Sequence, residues 1–142
     1  MYGVLERQFH RYYKEAARHP GITGEVLLQM LEQRLDNVVW RSGLAATRPQ
    51  ARQLVNHGHF RVNDKKVDIP SFQVRPGDIV TIKDRSKDLI VIQHSVDTQD
   101  RLVPDWMVVD AGERKIVVEA HPRRDQIDTD INEQLIVELY SK

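Results

Sequence analysis

The chain has 142 residues, no cysteine, and equal numbers of cations and anions (Lys+Arg 21, Asp+Glu 21). A chain of this length buries roughly 68% of its unfolded surface without a disulfide or metal staple, and the absence of cysteine excludes disulfides, thiolate zinc sites and cysteine nucleophiles. Apolar residues at 40% and charged residues at 30% fit a globular chain, no apolar run approaches the ~20 residues of a membrane span, and the start MYGVLERQF lacks a signal-peptide core, so a cytoplasmic protein is expected.

The zero net charge hides an uneven distribution. Residues 34–66 carry seven cations (Arg34, Arg41, Arg48, Arg52, Arg61, Lys65, Lys66) against two anions (Asp36, Asp64), a surplus of five. Residues 97–142 carry six cations against eleven anions. A basic middle and an acidic end suggest that one face meets an anionic partner.

In chain order, residues 3–18 read as a helix. Leu5, Phe9, Tyr12, Tyr13 and Ala16 recur on one helical face, and Arg7, Arg11, Lys14 and Arg18 on the opposite one. Pro20 and Gly21 stop it. Thr23 is a plausible N-cap for a second helix, whose apolar side runs through Leu27, Leu28, Leu31, Leu35, Val38 and Val39 to a stop at Gly43. Thr47 with Gln50 matches a capping box for a short helix at about 48–56, with Pro49 in its first turn and Gly58 at its end. FRV and VDI then read as two short strands around a turn at Asn63–Asp64. A turn at Pro76–Gly77 leads to a strand at 79–83. Residues 88–95 are apolar-rich and fit either helix or strand. Strands are expected at 107–109 and 116–119. Asp130 and Glu133 form a second capping pattern before a C-terminal helix whose face carries Ile131, Leu135, Ile136, Leu139 and Tyr140.

Two features point to phosphate. The four cations of the first helix repel one another along a single stripe, and a polyanion would turn that repulsion into binding. Arg48 and Arg52 are four apart on the short helix, so they share a face. With the Thr47 hydroxyl and the positive helix end they make a phosphate cradle. Guanidinium matches phosphate in a bidentate fork, and Lys65 and Lys66 on the hairpin extend the patch.

The run RLDNVVWRSGLAATRPQARQLVNHGHFRVNDKKV also resembles the RNA-binding S-four domain, the alpha-L module. The matching residues are Arg34, Leu35, Asp36, Gly43, Thr47, Arg48, Ala51, Leu54, Gly58, Val62, Asn63, Val74, Gly77, Asp78 and Ile79. Thr47 replaces the usual serine and keeps the hydroxyl. Asp64 stands where glycine is usual, which leaves the hairpin turn type open. YGVLERQF, ARQLVNHGH, VDIPS and the terminal INEQLIVELYSK extend the resemblance to the family of bacterial ribosomal small-subunit protein four, over nearly the whole chain and most weakly at about 88–125.

That resemblance implies a structural protein, not an enzyme. It would bind small-subunit rRNA at a five-way junction early in subunit assembly, contact ribosomal small-subunit protein five, and lie near the messenger entry path, with a role in translational accuracy. It implies no cofactor. The family has a further, very basic N-terminal stretch, sometimes with zinc-binding cysteines, that is absent before Met1. A truncated piece is the simplest expectation, and a short natural paralogue the other.

Six histidines (His10, His19, His57, His59, His94, His121) invite a metal reading. His57 and His59 lack an obvious third ligand, and no metal is expected. Asp125, Asp128 and Asp130 are expected in a polar loop and a helix cap. Trp40 and Trp106 are expected in the core rather than stacked on bases. No phosphate-loop, G-x-S-x-G or paired-acid motif is present. The competing reading is a stand-alone S-four-type RNA-binding regulator or ribosome quality-control factor.

The expected architecture is α+β. Residues 1–33 and 125–142 form a discontinuous helical subdomain, and residues 34–124 form the inserted alpha-L module with a β-rich continuation. The RNA-binding residues are expected to be Arg48 and Arg52 first, then Thr47, Arg34, Arg41, His57 and Lys66, with Arg7 and Arg11 from the first helix.

Overall fold

The computed structural model describes residues 6–18, 23–99 and 102–122. They divide into two compact units, one holding the first two helices and Pro122, the other Gln33–His121. The expected C-terminal helix, its cap at Asp130, and Asp125 and Asp128 lie outside the described residues, as does the expectation that this helix packs on the first one.

In the smaller unit, α1 (Glu6–Arg18) and α2 (Thr23–Glu32) pack together. Tyr12 meets Leu27, Leu28 and Leu31, with Tyr13, Val26 and Met30 half-buried around them. Burying this face removes apolar area from water at roughly 25 cal/mol per Å². Arg7, Arg11 and Lys14 are exposed, as their shared stripe predicts. The chain returns to this unit at Pro122, whose carbonyl accepts from Gln29 Nε2 at 3.0 Å.

The larger unit opens at a break in the helical run. The apolar period running from Leu27 to Val39 suggests one helix, but the helix stops at Glu32 and α3 starts at Leu35 (Leu35–Arg41). Arg34 is extended (φ −61°, ψ 141°) and forms an isolated antiparallel bridge with Gln73. The Val74 amide donates to the Gln33 carbonyl at 2.9 Å, and the Leu35 amide to the Phe72 carbonyl at 2.8 Å. Backbone pairing with a distant segment thus replaces helical bonds at the break, and the apolar spacing across it survives because both helices turn that face inward.

α4 (Arg48–Asn56) lies where its caps put it. The Thr47 side chain accepts from the Gln50 amide at 3.1 Å, and the Gln50 Oε1 accepts from the Ala46 amide at 2.7 Å, one residue earlier than in a standard capping box. Gly58 leaves the helix at φ +77°, a left-handed conformation that suits glycine.

Five strands follow: β1 (Phe60–Val62), β2 (Lys65–Lys66), β3 (Ile79–Ile82), β4 (Met107–Asp110) and β5 (Lys115–Val118). They form one antiparallel sheet in the order β2-β1-β3-β5-β4. The ambiguous apolar run becomes a helix, α5 (Ile90–Thr98), between β3 and β4. Period-two alternation sends Phe60, Val62, Val80, Ile82, Ile116 and Val118 into the core, where they join Leu35, Val38, Ala51, Leu54 and Val55 of α3 and α4. Trp106 is also in that core and is 1% exposed. The partner strand of β1 is Lys65–Lys66 and not the expected Val67–Ile69, because a two-residue turn with both central residues left-handed (Asn63 φ 51°, Asp64 φ 67°), the geometry of a type I′ hairpin, already pairs Val62 with Lys65.

Candidate nucleic-acid interface

The short helix α4 presents Arg48 and Arg52, but each is held by α3. Arg48 Nε donates to Asn37 Oδ1 at 3.2 Å, and its guanidinium lies over the Trp40 ring, 3.9 Å from the centroid. Arg52 Nε is 3.7 Å from Asp36 Oδ2, with the arginine side chain 39% exposed. The repulsion expected between two bare arginines is therefore relieved locally by an acid and an aromatic face. Trp40 is half-buried and packs against the core with its ring still reached by cations, since Arg41 also lies over it at 4.7 Å. Thr47 is exposed beside Arg48, and while its oxygen caps the helix its hydroxyl retains a proton to donate.

Two expected RNA-binding residues are buried. Arg34 is 2% exposed, and its Nε and Nη2 grip Asp36 Oδ1 and Oδ2 at 3.1 and 3.0 Å. The extended break before α3 turns its side chain inward, where this guanidinium organises Asp36. Arg41 is 7% exposed. Its place against Trp40 makes it a supporting residue as well. Asp36 also accepts from the Asn37 amide at 2.7 Å. The motif residues Arg34, Asp36 and Asn37 thus form the platform on which Arg52 and Arg48 are set.

A second group of cations gathers where α4 ends. His57 caps the helix and is exposed. Lys66 lies over Gly58: a Cβ placed on that glycine would sit 2.8 Å from Lys66 Cε, 3.3 Å from Lys66 Nζ and 3.9 Å from Lys83 Nζ. Arg61 and Lys66 are register partners on the outward face of the hairpin, and Arg61 faces Thr81 on β3. Lys83 directly follows β3, with its amide donating to the His59 carbonyl at 2.9 Å. Partial desolvation, then the charges of Lys66, Arg85 and Arg61, hold the Lys83 ammonium below its ordinary range. Burial, then His57 and Lys83, likewise lower the His59 imidazole, whose Nδ1 is 2.7 Å from Ser86 Oγ.

Lys83, Arg61 and Arg85 were not among the residues that the motif singled out. The signal for two of them is strand alternation, because Arg61 lies between the inward Phe60 and Val62, and Lys83 follows the inward Ile82. Arg7 and Arg11 stand exposed on α1, in the other unit. The His57 and His59 rings are tilted to one another, 6.3 Å between centroids. Among the described residues no group of three or more His, Asp or Glu is arranged to hold a metal, and no helix is long and apolar enough to cross a membrane.

Sequence comparison matches residues 33–80 to the S4 domain and residues 1–32 to the ribosomal protein S4/S9 N-terminal domain. The first match spans both cation groups apart from Lys83 and Arg85. Small ribosomal subunit protein uS4 of Thermoanaerobacter sp. is 59% identical over 143 aligned residues, covering 99% of this chain and 68% of the relative. The protein of the same name from Cutibacterium acnes is 58% identical, covering 99% and 71%, and that from Pelotomaculum thermopropionicum is 52% identical, covering 100% and 69%. With such identity along its whole length, and with the S4 module built as its motif implies, the chain belongs to the bacterial small ribosomal subunit protein uS4 family.

Proposed function

We propose that this chain is a structural component of the small ribosomal subunit in the bacterial cytoplasm, binding small-subunit rRNA without catalysing a reaction. The observation that carries the reading is the S4-domain match over residues 33–80 coinciding with Arg48 and Arg52 held ready on α4. Phosphate is the group those guanidiniums suit, and Thr47, His57 and Lys66 lie at the two ends of the same helix and on the hairpin beside it. Arg7 and Arg11 on α1 would add phosphate interactions from the other unit. The match of residues 1–32 to a ribosomal N-terminal domain favours a subunit protein over a free-standing S4-type regulator or quality-control factor, for which the module alone suffices.

The same reading gives the chain a part in early subunit assembly and in translational accuracy, and a protein neighbour, ribosomal small-subunit protein five. Ile90, Leu102 and Val108 are 84%, 95% and 51% exposed, apolar surface that a protein partner would cover.

The test is rRNA binding by Arg48→Ala and Arg52→Ala, each made alone. A weakening of about 1–3 kcal/mol is expected for each, as for other charge-assisted hydrogen bonds, with little change in melting temperature because Arg34 still holds Asp36. Wild-type affinity in both variants at moderate salt would remove α4 from the interface.

A further inference from the structure

Lys66 and Lys83 bring two ammonium groups to one point above Gly58, each Nζ within 4 Å of the position a Cβ would take there. Arg61 stands beside Lys66 in the strand register, and Arg85 is close enough to Lys83 to depress its basicity. Like charges gathered this closely repel. A sheet face that served only solubility would mix signs. The nearby acid does not serve these residues: Asp84 Oδ1 pairs with Lys87 at 3.7 Å, which also takes Glu113 at 3.3 Å. Among the described residues, no ion pair joins an acid to Lys66, Lys83, Arg61 or Arg85.

The glycine is part of the arrangement. At φ +77° it turns the chain from α4 into β1, and its missing side chain leaves room for the Lys66 stem. Arg61 and Lys66 are register partners on β1 and β2, Lys83 directly follows β3 and its amide donates to the His59 carbonyl just before β1, and the β1–β3 register is fixed by the buried faces of Phe60, Val62, Val80 and Ile82. Arg61 and Lys83 are therefore placed by the core, and Lys66 by its pairing with Arg61 across the turn.

We propose that the outward face of the hairpin around Gly58 is a second phosphate seat, in which Lys66 and Lys83, flanked by Arg61 and Arg85, clasp a backbone phosphate of the bound RNA separately from the arginines at the start of α4. The inference rests on the rRNA-binding reading. α4 has nine residues. At 1.5 Å per residue its ends are about 13 Å apart, so the two seats engage different phosphates.

The experiment measures affinity of the full chain for a small-subunit rRNA fragment between 50 and 200 mM salt, for wild type, Lys66→Gln, Lys83→Gln and Lys87→Gln. Each neutralisation in the seat should weaken binding several-fold and flatten the plot of log affinity against log salt by roughly 0.7–0.9 for each phosphate no longer neutralised. Lys87→Gln, at an ammonium already paired with Glu113 and Asp84, should leave the slope unchanged. Equal flattening in all three variants would mean a general charge effect and overturn the seat; so would unchanged slopes in Lys66→Gln and Lys83→Gln. A second measurement stands apart from rRNA. Pyrophosphate titrated into the wild-type chain should shift the NMR signals of Lys66, Lys83 and His59, and the His59 shift should vanish in the Lys66→Gln, Lys83→Gln double variant. No wild-type shift would overturn the seat, whereas shifts without rRNA binding would retain the seat and remove the rRNA reading.

Discussion

Asp36 is the residue on which the α4 surface depends. Its carboxylate is nearly buried, takes both forks of Arg34, accepts from the Asn37 amide and lies within reach of Arg52. Removing it takes the paired carboxylate away from the buried Arg34 guanidinium, so Asp36→Ala should cost about 3–5 kcal/mol in chemical denaturation. An Arg34→Met, Asp36→Leu double variant should recover most of that stability, since it removes both members of the ion pair together; a double variant as unstable as the single would disprove the account. The sequence showed that Arg34 and Asp36 belong to a motif but not which way they face, because burial there depends on a backbone bridge to Gln73 far along the chain.

His59 gives a pH dependence of definite sign. Its folded pKa lies below the ordinary value of about 6.5. The folded state therefore binds fewer protons than the unfolded one just below that value. The stability present above about pH 6.5 is lost as the pH falls from there through the lowered folded pKa. Melting temperatures at pH 7.5 and 5.5 should show a smaller acid-induced drop in His59→Gln than in wild type, and an equal drop would place the titration elsewhere.

Among the elements, those punctuated locally were readable and those shaped by distant partners were not. Thr47, Pro49 and Gly58 mark both ends of α4, and Thr47 caps the helix through the Gln50 amide as its spacing predicts. The break between α2 and α3 carries no such mark: Leu31, Leu35 and Val38 continue one apolar period across it. It exists because residues 72–74 donate to and accept from the backbone at Gln33–Leu35. α5 was ambiguous for a different reason, since four consecutive apolar residues fit either period, yet Ile90 and Val91 face solvent and Ile92 is buried.

The hairpin shows a local rule met by unusual residues. Asn63 and Asp64 both take the left-handed conformation that the turn demands. Asn63 is also tied down, its Nδ2 donating to Asp78 Oδ1 at 2.9 Å and its Oδ1 accepting from the Ile79 amide at 3.0 Å. At Asp64 the left-handed backbone is strained by the Cβ that a glycine would lack. Asp64→Gly should therefore stabilise the chain by about 0.5–1 kcal/mol, read as an upward shift in melting temperature; a downward shift would show that the aspartate serves the folded state.

For the whole molecule, the neutral total charge says little about binding, because the acidic excess lies late in the chain and the cations lie on α4 and the hairpin. If about six phosphates are engaged, affinity for small-subunit rRNA should fall by roughly three decades between 50 and 200 mM salt. Binding flat across that range would mean that recognition does not run through phosphate. The chain has two tryptophans, Trp40 and Trp106, and both belong to the larger unit. Trp106 is sealed in the core, while Trp40 carries the Arg48 guanidinium on its face. Intrinsic fluorescence excited at the indole band is thus blind to the α1–α2 unit. It divides into a steady contribution from Trp106, tied to the folded core, and a variable one from Trp40, which any anion drawing Arg48 off the ring would alter. The protein carries its own optical gauge at the place where RNA is expected to dock.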